Sequence, residues 1–208
     1  RLKHFRALYP EIDVRILASD ERVDFNRHDV DMAIRYGAGN WPDLVVIPLM
    51  TEELFPVCSP ALLRGRHPLE KPEDLVHHTL LHDDLSFENG DVDWRTWLRT
   101  VGADSVVDSE RGPFFEHSHL VVQAAIDGQG VALGRGVLVV DAMADGRLVR
   151  PFDSAGIPLE YAYYIAHPEG AMRRPSVAAF SNWLREEART SQENSNVEYT
   201  SLIRSSGS

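Results

Sequence analysis

The stretch "VVQAAIDGQGVALGRG", residues 121–136, is as rich in glycine as a loop that binds nucleotide phosphates. A dinucleotide-binding segment runs in the order strand, glycine loop, helix, so that the N-terminus of the helix faces the anion. Here the pattern predicts a helix from residue 118, a turn at Gly128 and a strand over residues 131–133. The order is reversed, so we expect these glycines to turn the backbone rather than to bind a nucleotide.

The composition of the chain limits the kinds of protein that it can be. Of its 208 residues, 43% are hydrophobic and 25% are charged, as in an ordinary globular protein. The formal net charge of −11 disfavours contact of this segment with DNA or an anionic membrane. The single cysteine, Cys58, excludes a disulfide framework, and no apolar secretory segment follows Arg1. We therefore expect a cytoplasmic protein that does not contact a membrane.

Strand and helix patterns alternate along the chain, which predicts an α/β architecture with largely parallel sheets. We expect the chain to begin inside a helix, because residues 2–9 have helical spacing with no capping residue before them. A short helix with Arg27 and His28 is expected, as is a flexible tail over the polar residues 190–208. The predicted strands are 12–17, 30–34, 44–49, 53–58, 80–81, 131–133 and 159–168, and the later helices begin near residues 60, 72, 92, 118, 138 and 173.

Several motifs occur in an order that resembles one known family. They are "VDFNRHDVDMAIRYGAGNWPDL", "LFPVCSPALL", "TLLHDD" and "VVQAAIDGQGVALG", spread over residues 1–188. The chain resembles the LysR-type transcriptional regulators, in a glycine-cleavage-activator-like branch. The resemblance implies the C-terminal effector-binding domain, also called the LysR substrate-binding domain. Its α/β fold is type 2 periplasmic-binding-protein-like, with two Rossmann-like lobes joined by two crossover strands.

The resemblance also implies a domain layout. Lobe I would comprise residues 1–55 and 165–189, and lobe II residues 56–164, with the tail at 190–208. Residues 53–58 would be the outward crossover and residues 160–166 the return. We expect the family's N-terminal winged helix-turn-helix and the first strand of lobe I to be absent from this chain, so that DNA is bound only through the missing N-terminal domain. In the implied homodimer or tetramer, residues 1–8 and 12–17 meet the partner's second lobe around residues 118–127.

Candidate effector ligands follow from the rule that open α/β sheets bind ligands beyond the carboxyl ends of their strands. A hydroxyl and free N–H groups at the start of the helix at residue 118 suit a carboxylate. Two tyrosines two positions apart share one face of the return strand, whereas Tyr164 faces the other way. The resemblance favours Ser118 and Tyr161 most. The candidates are Arg35, Tyr36 and Gly37 in lobe I, His82, Asp83, Ser118 and His119 in lobe II, and Tyr161 and Tyr163 on the return crossover.

Each candidate also has a purely structural alternative. Ser118 can cap its helix without binding any ligand. Tyr36 can pack within lobe I, and Arg35 can pair with Asp31 or Asp43.

Neither catalysis nor metal binding is predicted. Residues 77–84 and 116–119 contain histidines but lack the C-x-x-C or H-E-x-x-H spacing of a zinc site. Cys58 lies in an apolar strand pattern, where thiols are usually inert, and no G-x-S-x-G elbow is present. We expect no catalytic residue, no metal and no cofactor.

The sequence therefore predicts the effector-sensing regulatory domain of a LysR-type DNA-binding regulator. Its effector would be an amino acid, a carboxylate or a peptide-like metabolite bound between the lobes, and the domain would mediate oligomerisation. A stand-alone solute-binding protein of a transporter is the alternative, and an enzyme of the same fold is the third possibility.

Overall fold

The computed structural model describes residues 1–19, 23–25, 27, 29–83, 92–153 and 156–205, with side-chain surroundings up to residue 192. The chain divides into two compact units. Unit 1 combines Arg1–Thr51 with Tyr161–Ser208, and unit 2 is the continuous segment Glu52–Glu160. The chain thus passes between units after residue 51 rather than 55, and after residue 160 rather than 164.

The described residues form two sheets and five α-helices, with short 3-10 helices at Pro60–Arg64, Pro72–His77 and Ala171–Arg173. The strands are β1 (Ala33–Gly37), β2 (Leu44–Met50), β3 (Glu53–Val57), β4 (Leu80–Asp83), β5 (Phe114–Phe115), β6 (Val131–Arg135), β7 (Ile157–Pro158) and β8 (Ala162–Pro168). The helices are α1 (Leu2–Leu8), α2 (Trp94–Val101), α3 (Ser118–Ile126), α4 (Gly136–Ala144) and α5 (Pro175–Ser205).

Unit 1 contains a three-stranded sheet in the order β1-β8-β2, in which β8 pairs antiparallel with both neighbours. Its core is formed by Leu49, Ile165 and Ala188, so that α5 supplies part of the apolar cover. Helix α1 is held to α5 by Phe5, which is fully buried and meets Phe180 edge to face at 5.0 Å between ring centroids. Aromatic packing of this kind anchors the first residues of the chain.

Unit 2 contains a five-stranded sheet in the order β5-β4-β6-β3-β7. Strand β4 runs parallel to β5 and β6, whereas β3 runs antiparallel to β6 and β7. One cluster of buried residues gathers around Trp94, Trp97 and Leu98 of α2, and a second gathers around Val121 of α3 and Val139 of α4. The two clusters hold the carboxyl end of β4 and the start of α3 in fixed positions.

The two segments with the clearest local patterns fold as predicted. Helix α2 is capped by Asp93, whose side chain accepts from the N–H of Thr96, and it ends at Gly102 in the left-handed conformation. Helix α3, Gly128 with φ of +75° and strand β6 follow one another in the expected order. The glycines after α3 turn the chain, as the reversed order indicated.

The expectation of largely parallel sheets is wrong. Among the described strands, only the two pairings of β4 are parallel. Alternation of strands and helices indicates parallel pairing only where each helix is a crossover between neighbouring strands. Here only two residues separate β2 from β3, so no crossover helix connects them. Strand β8 lies between β1 and β2 in its sheet, although both of these strands precede unit 2 in the sequence.

The predicted strand over residues 12–17 does not form, since residues 12–19 are neither helix nor strand. Ile16 is 67% exposed and Leu17 is 57% exposed. Alternating apolar residues satisfy the side-chain pattern of a strand, but a strand also needs a partner for its backbone groups.

Three other boundaries also differ. The described residues around Arg27 contain no helix, and His28 lies outside the described residues. The strand expected at residues 30–34 is β1, which begins at Ala33. Helix α5 continues to Ser205, where a flexible tail from residue 190 was expected. The stretch from 190 to 205 is polar, but it contains neither glycine nor proline to end a helix.

Within the described residues, no helix has the length and apolar character that crossing a membrane requires.

A close backbone approach at Gly112 gives a test of the unit 2 sheet. A Cβ atom there would lie 1.8 Å from the Leu80 carbonyl oxygen, and φ is +139°. We expect Gly112→Ala to lower the free energy of unfolding by roughly 2–4 kcal/mol in urea denaturation. The control is Gly102→Ala, where φ is +74° but the added Cβ meets no atom within 4 Å; its loss should be about 1 kcal/mol. Equal losses would contradict the close approach to Leu80.

Candidate functional site

The predicted ligands fall into two groups, one in each unit. Arg35, Tyr36, Gly37, Tyr161 and Tyr163 belong to unit 1, and His82, Asp83, Ser118 and His119 belong to unit 2.

Three tyrosines form a half-buried cluster in unit 1. Tyr36 of β1 lies opposite Tyr163 of β8 in the register, with ring centroids 5.1 Å apart. Tyr161, which directly precedes β8, meets Tyr36 at 5.8 Å with the rings 71° apart. The prediction that Tyr161 and Tyr163 share a face is confirmed, because both contact the same ring. The packing alternative for Tyr36 also holds, since its ring contacts both of the others.

Arg35 belongs to a different cluster from Tyr36. Its guanidinium lies 5.6 Å from the centre of the Trp41 ring, and Trp41 meets Tyr164 edge to face at 5.7 Å. Arg35 and Tyr164 are paired residues in the register. Alternation along β1 and β8 therefore places Arg35 on the face opposite the tyrosine cluster. Of its two suggested partners, Asp31 pairs with Arg174 instead.

Gly37 provides the room for this second cluster. It is buried, and a Cβ atom there would lie 3.0 Å from the Trp41 ring. Gly37 thus leaves space for the Trp41 ring, and Trp41 was not among the predicted ligands. The available signal was a tryptophan in the glycine-containing loop "GAGNW" that directly follows a strand.

Ser118 and Asp83 are joined in unit 2. The Ser118 hydroxyl donates a hydrogen bond of 2.5 Å to Oδ2 of Asp83, which links the start of α3 to the carboxyl end of β4. His117, not Ser118, occupies the N-cap position of α3. The capping role suggested for Ser118 is therefore wrong, because its hydroxyl reaches a neighbouring strand instead. The Asp83 carboxylate also lies where the partial positive charge of the helix N-terminus stabilises an anion.

The two histidines of the unit 2 group differ in exposure. His82 is 5% exposed and its ring stacks on Phe114 at 4.2 Å, while its backbone N–H donates to the Pro113 carbonyl. His119 is exposed, and its ring stacks on His117 with centroids 5.5 Å apart. His82 therefore has a packing role in the sheet, whereas His119 is open to solvent.

A small depression lies at the carboxyl end of β4. The indole N–H of Trp94 donates to the Leu81 carbonyl at 3.1 Å, which fixes α2 at its rim. The depression is lined by Leu81, His82, Asp83, Val92, Asp93, Trp94 and Leu133.

The histidine runs and the cysteine form neither a metal site nor a reactive thiol in the part of the chain that the structure describes. No group of three or more His, Cys, Asp or Glu residues there has the geometry of a metal site, and Asp84 lies outside that part. Burial raises the pKa of the Cys58 thiol to about 12, so the reactive thiolate is not populated near neutral pH.

Comparisons with a family model and with known proteins indicate the same family. Residues 1–189 match the model of the LysR substrate binding domain. The chain is 44% identical over 199 residues to the glycine cleavage system transcriptional activator of Escherichia coli K12, covering 96% of this chain and 63% of that protein. It is 35% identical over 185 residues to the HTH-type transcriptional activator AmpR of Rhodobacter capsulatus, covering 88% and 60%. The chain thus spans less than two thirds of the length of these relatives.

A solved structure with the same fold is the effector domain of the transcriptional regulator AmpR of Pseudomonas aeruginosa. The TM-score is 0.71 at 28% identity, covering 93% of this chain and 89% of that one. A type 2 periplasmic-binding-protein-like α/β fold is consistent with this likeness and with the two sheets.

The bond between Ser118 and Asp83 can be tested by a double-mutant cycle. We expect Ser118→Ala and Asp83→Asn to be coupled by about 1.5 kcal/mol in urea unfolding, because the acceptor is charged. The control cycle combines Ser109→Ala with Asp83→Asn. The Ser109 hydroxyl is exposed, and its contact is with Glu110 at 3.4 Å. A coupling energy near zero would show that the bond does not contribute to stability.

Proposed function

The chain belongs to the LysR substrate binding domain family, and on this premise we propose that it is the effector-sensing part of a transcriptional regulator. The observation that carries the proposal is the family match over residues 1–189, together with relatives that are transcriptional activators. The same relatives favour a regulator over a transporter's solute-binding protein and over an enzyme. We place the regulator in the cytoplasm on the same basis.

Unit 1 is proposed to contribute the tyrosine cluster to effector binding. Tyr36, Tyr161 and Tyr163 are all half-buried, so each ring offers an apolar face and a polar tip. Such a cluster suits a small metabolite that has both apolar and hydrogen-bonding groups. Arg35 and Gly37, on the Trp41 side, are proposed to support the end of β1.

Unit 2 is proposed to contribute Asp83, Ser118 and the backbone N–H groups at the start of α3. The Asp83 carboxylate suits a ligand ammonium group, and the first turn of α3 suits a carboxylate. This combination of charges supports a zwitterionic effector such as an amino acid. His119, exposed on the same turn, is a further candidate contact, whereas His82 is assigned a supporting role.

DNA binding is proposed for a helix-turn-helix segment outside these 208 residues. The net charge of −11 supports this division, because duplex DNA is bound mainly through lysine and arginine contacts to phosphates. The AmpR relative of Rhodobacter capsulatus is named as an HTH-type activator and is longer than this chain.

Homodimers or tetramers are proposed to form through residues 1–8 and 12–17, with residues 118–127 of a second copy as the counterpart. Leu8, Ile16 and Leu17 are each more than half exposed, and Leu120 on α3 is 43% exposed. Exposed apolar side chains that lie together favour a protein interface.

Effector binding can be tested by a thermal-shift screen of amino acids, small carboxylates and cell-wall peptides, followed by calorimetry on each hit. We expect Ser118→Ala and Tyr161→Phe each to weaken the affinity by about tenfold, the equivalent of one hydrogen bond. Tyr164→Phe is the matched control, because this ring packs against Trp41 on the opposite face of β8. Full affinity in both variants would remove these two residues as ligands.

Self-association can be tested by sedimentation equilibrium. We expect Leu17→Asp to raise the dissociation constant at least tenfold, because a charge would be buried in the interface. Val106→Asp is the control, since Val106 is 51% exposed and belongs to none of the proposed interface segments. An unchanged constant for Leu17→Asp would contradict the proposed interface.

A further inference from the structure

Glu52 is a buried residue at the point where the chain enters unit 2. It is 4% exposed and is the first residue of that unit, whose last residue is Glu160. The Glu52 carbonyl accepts a hydrogen bond of 3.0 Å from the N–H of Leu159. One residue therefore joins the two ends of unit 2.

The Glu52 side chain also holds the start of α4. Its Oε1 atom accepts from the N–H groups of Val137 at 3.3 Å and of Glu53 at 3.0 Å. A Cβ atom on Gly136 would lie 3.3 Å from the same oxygen, which shows how closely the helix approaches. The carboxyl group thus satisfies N–H groups that a helix N-terminus leaves without intrahelical partners.

The other carboxyl oxygen of Glu52 is differently placed. Oε2 is buried and has no hydrogen-bond partner among the described residues. An ionised carboxylate with a desolvated, unpaired oxygen is strongly destabilised unless the group takes up a proton or gains access to water. The N–H donors to Oε1 favour the ionised carboxylate, whereas the burial of the unpartnered Oε2 favours the protonated side chain.

The charged groups around Glu52 are few in the described structure. Arg135, at the end of β6, favours the ionised carboxylate through its charge. Glu53 carries its own carboxylate, which is 47% exposed and pairs with Arg150 at 3.4 Å. Gly136 and Val137 of α4 approach the Glu52 carboxyl group, Ile157 and Pro158 of β7 pair with Leu54 and Glu53, and none of these four α4 and β7 residues titrates.

We propose that Glu52 is a proton-controlled clasp, in which the protonated side chain fastens the two ends of unit 2 to the start of α4 and ionisation loosens this junction. Burial raises the pKa of Glu52 from 4.5 to about 7, against the opposing effects of the Val137 and Glu53 N–H groups and of Arg135. The native state therefore binds this proton more tightly than the unfolded chain does. The resulting stability is fully present below pH 4.5 and is lost as the pH rises through about 7.

Urea unfolding of the 208-residue chain between pH 5 and pH 8.5 tests the clasp. Glu52→Gln keeps the shape and the Oε1 acceptor but cannot ionise, and Glu53→Gln is the neighbouring control. We expect the unfolding constant of the wild type, relative to that of Glu52→Gln, to rise on the order of a hundredfold over this range. Glu53→Gln should follow the wild type. A Glu52→Gln profile parallel to the wild type would overturn the proposal.

Hydrogen exchange of the wild-type protein tests the clasp without any variant. We expect the amides of Val137 and Leu159 to lose protection between pH 6 and pH 8.5, after correction for intrinsic base catalysis, because their acceptors belong to Glu52. Unchanged protection of both amides would overturn the proposal as well.

Discussion

The central place of β8 in its sheet is the constraint on which unit 1 depends. Strands β1 and β2 are close in sequence, yet each is hydrogen-bonded to β8 rather than to the other. Both edges of β8 are therefore satisfied by a segment that lies more than a hundred residues earlier in the chain. The tyrosine cluster follows from the same arrangement, because Tyr36 and Tyr163 meet only through this register. Unit 1 is thus a product of long-range pairing rather than of local preference.

Local signals accounted for the parts of the fold that depend on near neighbours. Helix α2 has a capping aspartate and a terminal glycine within its own sequence, and the order α3, turn, β6 depends on Gly128 and apolar spacing. Strand pairing depends on partners that no local pattern specifies. For this reason the alternation over residues 12–17 did not produce a strand, and the direction of most pairings was predicted wrongly.

The same distinction between local signals and long-range partners applies to the candidate site. The shared face of Tyr161 and Tyr163 was predictable, because side chains alternate strictly along a strand. The partner of Ser118 was not, because Asp83 precedes it by 35 residues and competes with the expected capping bond. Glu52 gave no signal at all, since an acidic pair at the boundary of two strands is ordinary in sequence. Its importance comes from burial and from a hydrogen bond to the start of a helix, at Val137, which lies 85 residues later.

The continuity of unit 2 has a consequence for synthesis. Residues 52–160 form one uninterrupted segment, whereas the sheet of unit 1 is complete only when residues 162–168 are present. On a ribosome, residues 52–160 can therefore adopt their native contacts before strands β1 and β2 have their pairing partner. Until residues 162–168 have been made, the backbone groups of β1 and β2 that pair with β8 are open to water or to other extended chains.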